Sequence, residues 1–189
     1  MKRLALVLFI VVCCASFIGN AYAGALIKGD VVYTRSSLRA EGNKIFFHNM
    51  RSLRELIPVG TEAKITKCEG GIIGFNVIDT NKTYYVYANS EQWDKFFVKD
   101  RKEIGLDKFS PDAKAKVMNC EISNGMTKEE VYASKGCPAY IAWGKTTERN
   151  SLADIMRSDK WYYNISSRGH DVMVTFENGV VVKTGGFEK

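Results

Sequence analysis

The residues able to do chemistry are few, and their spacing does not assemble a reaction. The chain has two histidines, His48 and His170, and its cysteines beyond residue 23 are Cys68, Cys120 and Cys137. A cysteine nucleophile needs a histidine base. Cys137 with His170 can be paired on paper, but neither a nucleophile elbow nor a Cys-His-Asn spacing surrounds them. His170 falls in Ser167-Arg168-Gly169-His170-Asp171, a hairpin tip by composition, where a solvated ring is expected. A zinc site needs three or four convergent ligands, and no CxxC pair is present. Gly70-Gly71-x-x-Gly74 lies between strand-like runs without the helix that must follow a phosphate loop. Glu129-Glu130 suits a helix N-terminus and its dipole better than acid–base work. The expectation is a protein that is not an enzyme, with no catalytic, metal-binding or cofactor-binding residues.

Two sets of side chains remain as candidates. Cys120 and Cys137 fall near the ends of two neighbouring predicted helices. A disulfide there would close a loop of about 16 residues and contribute on the order of 3 kcal/mol. The alternative is that all three cysteines are small buried apolar residues. The aromatic runs Tyr84-Tyr85-Tyr87 and Trp161-Tyr162-Tyr163 place rings on both faces of strands. One face must be core. The other can form an aromatic partner surface, with Tyr85, Tyr87, Trp161 and Tyr163 as its candidates.

The elements that position these residues follow a leader-like start. Lys2 and Arg3 precede the apolar run Leu4–Ser16, and Ala21-Tyr22-Ala23 has the small-x-small form of a secretory cleavage site. The run is short for a bilayer span. Export with cleavage after Ala23 is expected, leaving no transmembrane segment. Neither Cys13 nor Cys14 sits in a good lipidation context. The formal net charge is +6, of which Lys2 and Arg3 supply two. The densest basic stretch, Lys95–Lys108, also holds Asp100, Glu103 and Asp107, so it reads as a solvated face and not as a nucleic-acid stripe.

From Leu26 to Tyr87 the pattern is short strands with turn punctuation. Pro58-Val59-Gly60-Thr61 leads into the alternating Glu62–Thr66, and Glu69-Gly70-Gly71 marks a hairpin. A small barrel is expected. Asn89 or Ser90 can cap a helix through Phe97, whose Trp93, Phe96 and Phe97 share one face. Lys99–Lys108 is the best linker candidate. Ser110-Pro111 starts a helix. Thr127 and Glu130 form a capping box for a second, ended by Gly136 and Pro138. Strands are expected at Tyr140–Trp143, Trp161–Ile165, Val172–Phe176 and Val180–Lys183, with a tight turn at Asn178-Gly179.

Gly125-Met126-Thr127-x-x-x-Val131 with Gly136-x-Pro138, then Trp161-Tyr162-Tyr163, then Val174-x-Phe176-x-Asn178-Gly179-x-Val181, resembles the SmpA/OmlA small envelope proteins. That resemblance covers about the last two-fifths of the chain. It implies an ααβββ layout, shared with the repeats of β-lactamase-inhibitor protein, and a link to outer-membrane β-barrel assembly. The chain departs from the small lipoproteins in lacking their lipidated cysteine and in carrying an extra N-terminal part. That part, through Ile57–Thr61 and its strand spacing, resembles bacterial SH3-like domains.

The expected organisation is therefore α+β. Residues 1–23 are a leader, 24–98 an SH3-like β domain ending in a short helix, 99–109 a linker, and 110–189 an ααβββ two-layer sandwich with an antiparallel meander. The expected role is a periplasmic or outer-membrane-associated module that binds an envelope protein. Peptidoglycan binding through the SH3-like part, or modulation of an exported enzyme, are the alternatives. No cofactor and no nucleic-acid partner are expected.

Overall fold

The computed structural model describes residues 24–48, 55–141, 145–164 and 171–186. The leader and its cleavage site, Trp143, Ile165 and His170 lie outside the described residues. Among those described, no helix is long and apolar enough to cross a membrane; this leaves β-barrel spans unaddressed.

Among the described residues, the first half is a curled, half-barrel sheet of eight strands. In chain order these are β1 (Val31–Thr34), β2 (Leu38–Glu41), β3 (Lys44–Ile45), β4 (Glu55–Ile57), β5 (Glu62–Glu69), β6 (Ile72–Val77), β7 (Lys82–Val86) and β8 (Phe97–Val98). Their order across the sheet is β4-β2-β3-β7-β6-β5-β1-β8. Among these described strands, only β3 and β7 pair in parallel. The β5–β6 hairpin turns on Gly70 (φ 63°) and Gly71 (φ 70°). Both lie in the left-handed region, which glycine adopts without steric cost. Gly74 is needed for a different reason. A Cβ there would meet Thr66 Oγ1 at 2.9 Å, so a side chain is excluded by the neighbouring strand.

The second half packs helices on an antiparallel sheet. Its elements are α1 (Pro111–Met118), α2 (Lys128–Lys135), β9 (Tyr140–Ile141), β10 (Lys145–Thr146), α3 (Leu152–Arg157), β11 (Lys160–Asn164), β12 (Asp171–Glu177) and β13 (Val180–Gly186). The sheet order is β10-β9-β11-β12-β13. The caps are those the sequence spells out. Ser110 Oγ accepts from the Ala113 amide with Pro111 at the first helical position. At α2, Glu130 N donates to Thr127 Oγ1 at 3.2 Å. In return, Thr127 N donates to Glu130 Oε2 at 2.8 Å, which completes the capping box. Gly136 then leaves the helix at φ 77°. Asn178-Gly179, both at positive φ, turn β12 into β13.

The fold is thus α+β in class, with a curled sheet and a second antiparallel sheet. The charged segment expected as a linker is folded. Arg101–Ile104 and Leu106–Lys108 are 3-10 turns, joined at Gly105 (φ 78°) and started by Asp100, whose Oδ1 accepts from Lys102 N at 2.9 Å. Ile104 is buried, and Leu106 packs against the core. One apolar cluster runs from Val32, Phe75 and Phe97 in the first half to Val131, Trp161 and Phe176 in the second. Backbone also crosses the junction, where Ser37 N donates to Ala133 O at 3.0 Å.

Candidate functional site: an aromatic seam across the junction

After β3 the chain continues in alternation: Ile45 and Phe47 point into the core, Phe46 is exposed, and His48 is half-buried. Because β3 lies beside β7, the outward Phe46 meets the outward Tyr87. Their rings stack at 6.5 Å between centroids and 21° between planes. Phe46 is 36% exposed and Tyr87 43%. His48 reaches the other half of the molecule. Its ring stacks on Tyr140 of β9 at 6.3 Å and 20°, and Tyr140 is itself 36% exposed. The result is an aromatic surface built by both halves.

The layer beneath the seam holds it in place. Phe47 packs edge-on to Phe96 at 5.3 Å. The ammonium of Lys95, only 2% exposed as a residue, lies 4.9 Å from the centre of the Phe47 ring. Lys95 Nζ donates to the Thr147 carbonyl at 2.9 Å, so a side chain of the first half satisfies backbone of the second. Gln92 Nε2 donates to the Glu148 carbonyl. Tyr132 OH donates to the Lys95 carbonyl at 3.0 Å. Burial pushes the Lys95 amine below its usual value, opposed by the nearby Cys137, Asp94 and Glu148. His48 Nε2 lies 3.3 Å from Glu148 Oε1. Its pKa is lowered, first by burial; Glu148 opposes the shift, and Lys95 adds to it. A buried cation against the Phe47 ring and hydrogen bonds contributed by both halves thus underlie the exposed rings.

The four residues expected to form the partner surface separate into two pairs. Tyr85 and Tyr87 point outward from the β7 side, Tyr85 half-buried and Tyr87 exposed. Trp161 and Tyr163 do not reach the surface and are corrected to core residues. The Trp161 ring packs against Phe176 (4.7 Å) and Tyr132 (6.0 Å), and its Nε1 donates to Ile155 O at 2.9 Å. Tyr163 OH donates to the Gly136 carbonyl at 3.1 Å. The physical reason is that α2 and α3 cover this face of the sheet.

The expected Cys120–Cys137 bridge is also corrected. Both are buried free thiols, and Cys68 is a half-buried one. Cys120 closes α1 in the left-handed region (φ 54°), while Cys137 lies 3.4 Å from Thr147 Oγ1. Burial pushes the Cys137 thiol up to about 11, against the pull of Thr147 and Lys95, which disfavours the thiolate. Among the described residues no group of three or more His, Cys, Asp and Glu is placed to hold a metal ion.

Phe46, His48, Tyr140 and Lys95 were not legible as site residues. Lys44–His48 reads only as an apolar run, and the pairing of His48 with Tyr140 spans the two halves. Comparison with protein-family models, with curated proteins and with solved structures returned no match.

Proposed function

We propose that this chain is an exported bacterial envelope protein that acts by binding another protein, as a non-enzymatic module or scaffold in outer-membrane assembly. The observation that carries the reading is the aromatic seam of Phe46, Tyr87, His48 and Tyr140. Solvent-reachable aromatic rings are among the side chains that anchor protein interfaces. Support for the compartment comes from the leader-like Met1–Ala23. Support for the assembly link comes from Gly125-Met126-Thr127, Gly136-x-Pro138 and Asn178-Gly179, which resemble the SmpA/OmlA pattern. In the same reading, the curled sheet is an open SH3-like barrel, and α1, α2 and the β11–β13 meander are the ααβββ layer.

The test is capture from cross-linked envelope extract with the wild type and with Phe46→Ser/Tyr87→Ser. Enrichment of barrel-assembly subunits by the wild type, lost in the double variant, is the expected result. Sedimentation with purified cell wall, or capture of one soluble exported enzyme, would replace this reading with the wall-binding or modulator reading.

A further inference from the structure

A second surface lies away from the seam. An open groove of about 610 Å³ runs between the 3-10 segment and α1, within the size range of ligand-holding clefts. Val59, Leu106 and Met118 give it an apolar floor. Met118 is 46% exposed, although it shares its helix with the buried Ala113 and Val117. Lys114 lies one turn before Met118 on the same helical face. Arg101 lies against Gly60, where a Cβ would come within 3.3 Å of its Nε. Arg101, Lys102 and Lys114 all line the groove, and among the described residues none of the three side chains has an ion pair or hydrogen-bond partner. Asp100 and Asp107 line it too, the Asp100 carboxylate accepting from the Lys102 amide, so three cations against two carboxylates leave the lining with a net charge of +1. Three unpaired cations thus surround an apolar floor in which Val59 is buried, Leu106 is half-buried and Met118 is open to solvent.

We infer that this groove docks an acidic peptide segment of a partner protein, one whose apolar side chains cover Val59, Leu106 and Met118 while its carboxylates meet Arg101, Lys102 and Lys114. Charge complementarity selects the sign of the partner. The concave apolar floor favours a chain with side chains to insert over a flat anionic surface. Methionine, being unbranched and polarisable, adapts to such insertions. This groove shares no residue with the aromatic seam, so the inference stands independently of the function proposed above.

Fluorescence anisotropy on the intact protein tests it. The probe is a fluorescein-labelled peptide alternating glutamate and leucine, with matched peptides carrying lysine for glutamate or serine for leucine. The acidic apolar peptide should bind, more weakly as salt is raised, and both control peptides should bind poorly. Lys102→Glu/Lys114→Glu should weaken binding by about tenfold. Both lysines are exposed and unpaired, so the thermal midpoint should be unchanged. Met118→Ser, which leaves the charges in place, should weaken binding independently and serves alone if the double variant proves unstable. Phe46→Ser/Tyr87→Ser should bind as the wild type does. No binding, equal binding of the basic peptide, or indifference to these groove substitutions would overturn the proposal. So would phosphatidylglycerol vesicles that bind through the same lysines while the peptide does not, since the groove would then face a membrane.

Discussion

The aromatic runs Tyr84-Tyr85-Tyr87 and Trp161-Tyr162-Tyr163 look alike in sequence and end in opposite environments. In the first, Tyr84 is buried and Tyr85 and Tyr87 face outward. In the second, Trp161 and Tyr163 are buried and Tyr162 faces outward, half-buried. Period-two alternation sorts the rings into two faces in both strands. It does not say which face is core; that depends on what packs against the sheet. For Trp161 the answer is α2 and α3, through Tyr132 and the Ile155 carbonyl. For Tyr85 and Tyr87 it is neither helix, and the core lies on the Tyr84 side with Phe75.

A flanking signal does exist for the second run. Lys160 is exposed and shares the parity of Tyr162, so the polar residue marks the outward face and leaves Trp161 and Tyr163 inward. The same rule misleads in the first run. Lys82 shares the parity of the buried Tyr84 and Val86, yet its ammonium escapes at the strand end to meet Glu55. A lysine at a strand terminus can extend its charge to solvent while its backbone follows the buried register.

The sharpest break between the two runs is energetic. Trp161→Ala removes a fully buried indole, its packing on Phe176 and its hydrogen bond to Ile155. We expect a loss of about 3–5 kcal/mol, read from denaturant midpoints. Tyr87→Ala removes an exposed ring and should cost no more than about 0.5 kcal/mol. Similar costs at the two positions would show that Tyr87 is structural and would remove the seam's main anchor.

The next contrast concerns hydroxyls alone. Tyr163→Phe keeps the ring but leaves the buried Gly136 carbonyl without its donor, and should cost about 1–2 kcal/mol. Tyr85→Phe should be near neutral, because among the described residues the Tyr85 hydroxyl has no partner. A neutral Tyr163→Phe would mean that water replaces the phenol at the end of α2, and that this end of the helix is less dry than the core around Trp161.

Local chemistry was legible where one short stretch decides the outcome. Ser110-Pro111, the Thr127–Glu130 box, Gly70-Gly71 and Asn178-Gly179 each specify a cap or turn through neighbours within four residues, and each is found there. Long-range decisions were not legible. Lys99–Lys108 looks like a tether by its charge, yet Ile104 anchors the first 3-10 turn into the core. The seam depends on β3 lying parallel to β7 and on His48 meeting Tyr140 from the other half of the chain. Neither partner carries a local mark of that meeting. The shared core has the same character, since Lys95 and Thr147 meet although they lie 52 residues apart in the chain.

The smallest expected effect concerns Glu55, the carboxylate that Lys82 reaches at the end of the first run. Glu55 Oε1 accepts from Lys82 Nζ at 2.6 Å and from Tyr84 OH at 2.7 Å. Burial first, and then the bond to Glu55, push the Tyr84 phenol up to about 12. Lys82 first, and then Tyr84, hold the Glu55 carboxyl below its usual value of 4.5. The signs follow from linkage. The Glu55 contribution is present above its unfolded value and is lost as pH falls through its lower folded value. The Tyr84 contribution is present below about 10 and is lost as pH rises towards its folded value. The absorbance difference between the wild type and Tyr84→Phe should therefore show one phenol titrating near the raised value of about 12. Glu55→Gln should move that midpoint down, but not to the ordinary tyrosine value, because burial remains. A midpoint unmoved by Glu55→Gln would assign the whole shift to burial. The Tyr84–Glu55 bond would then add nothing to the phenol's shift, and Glu55 would serve the first run through Lys82 alone.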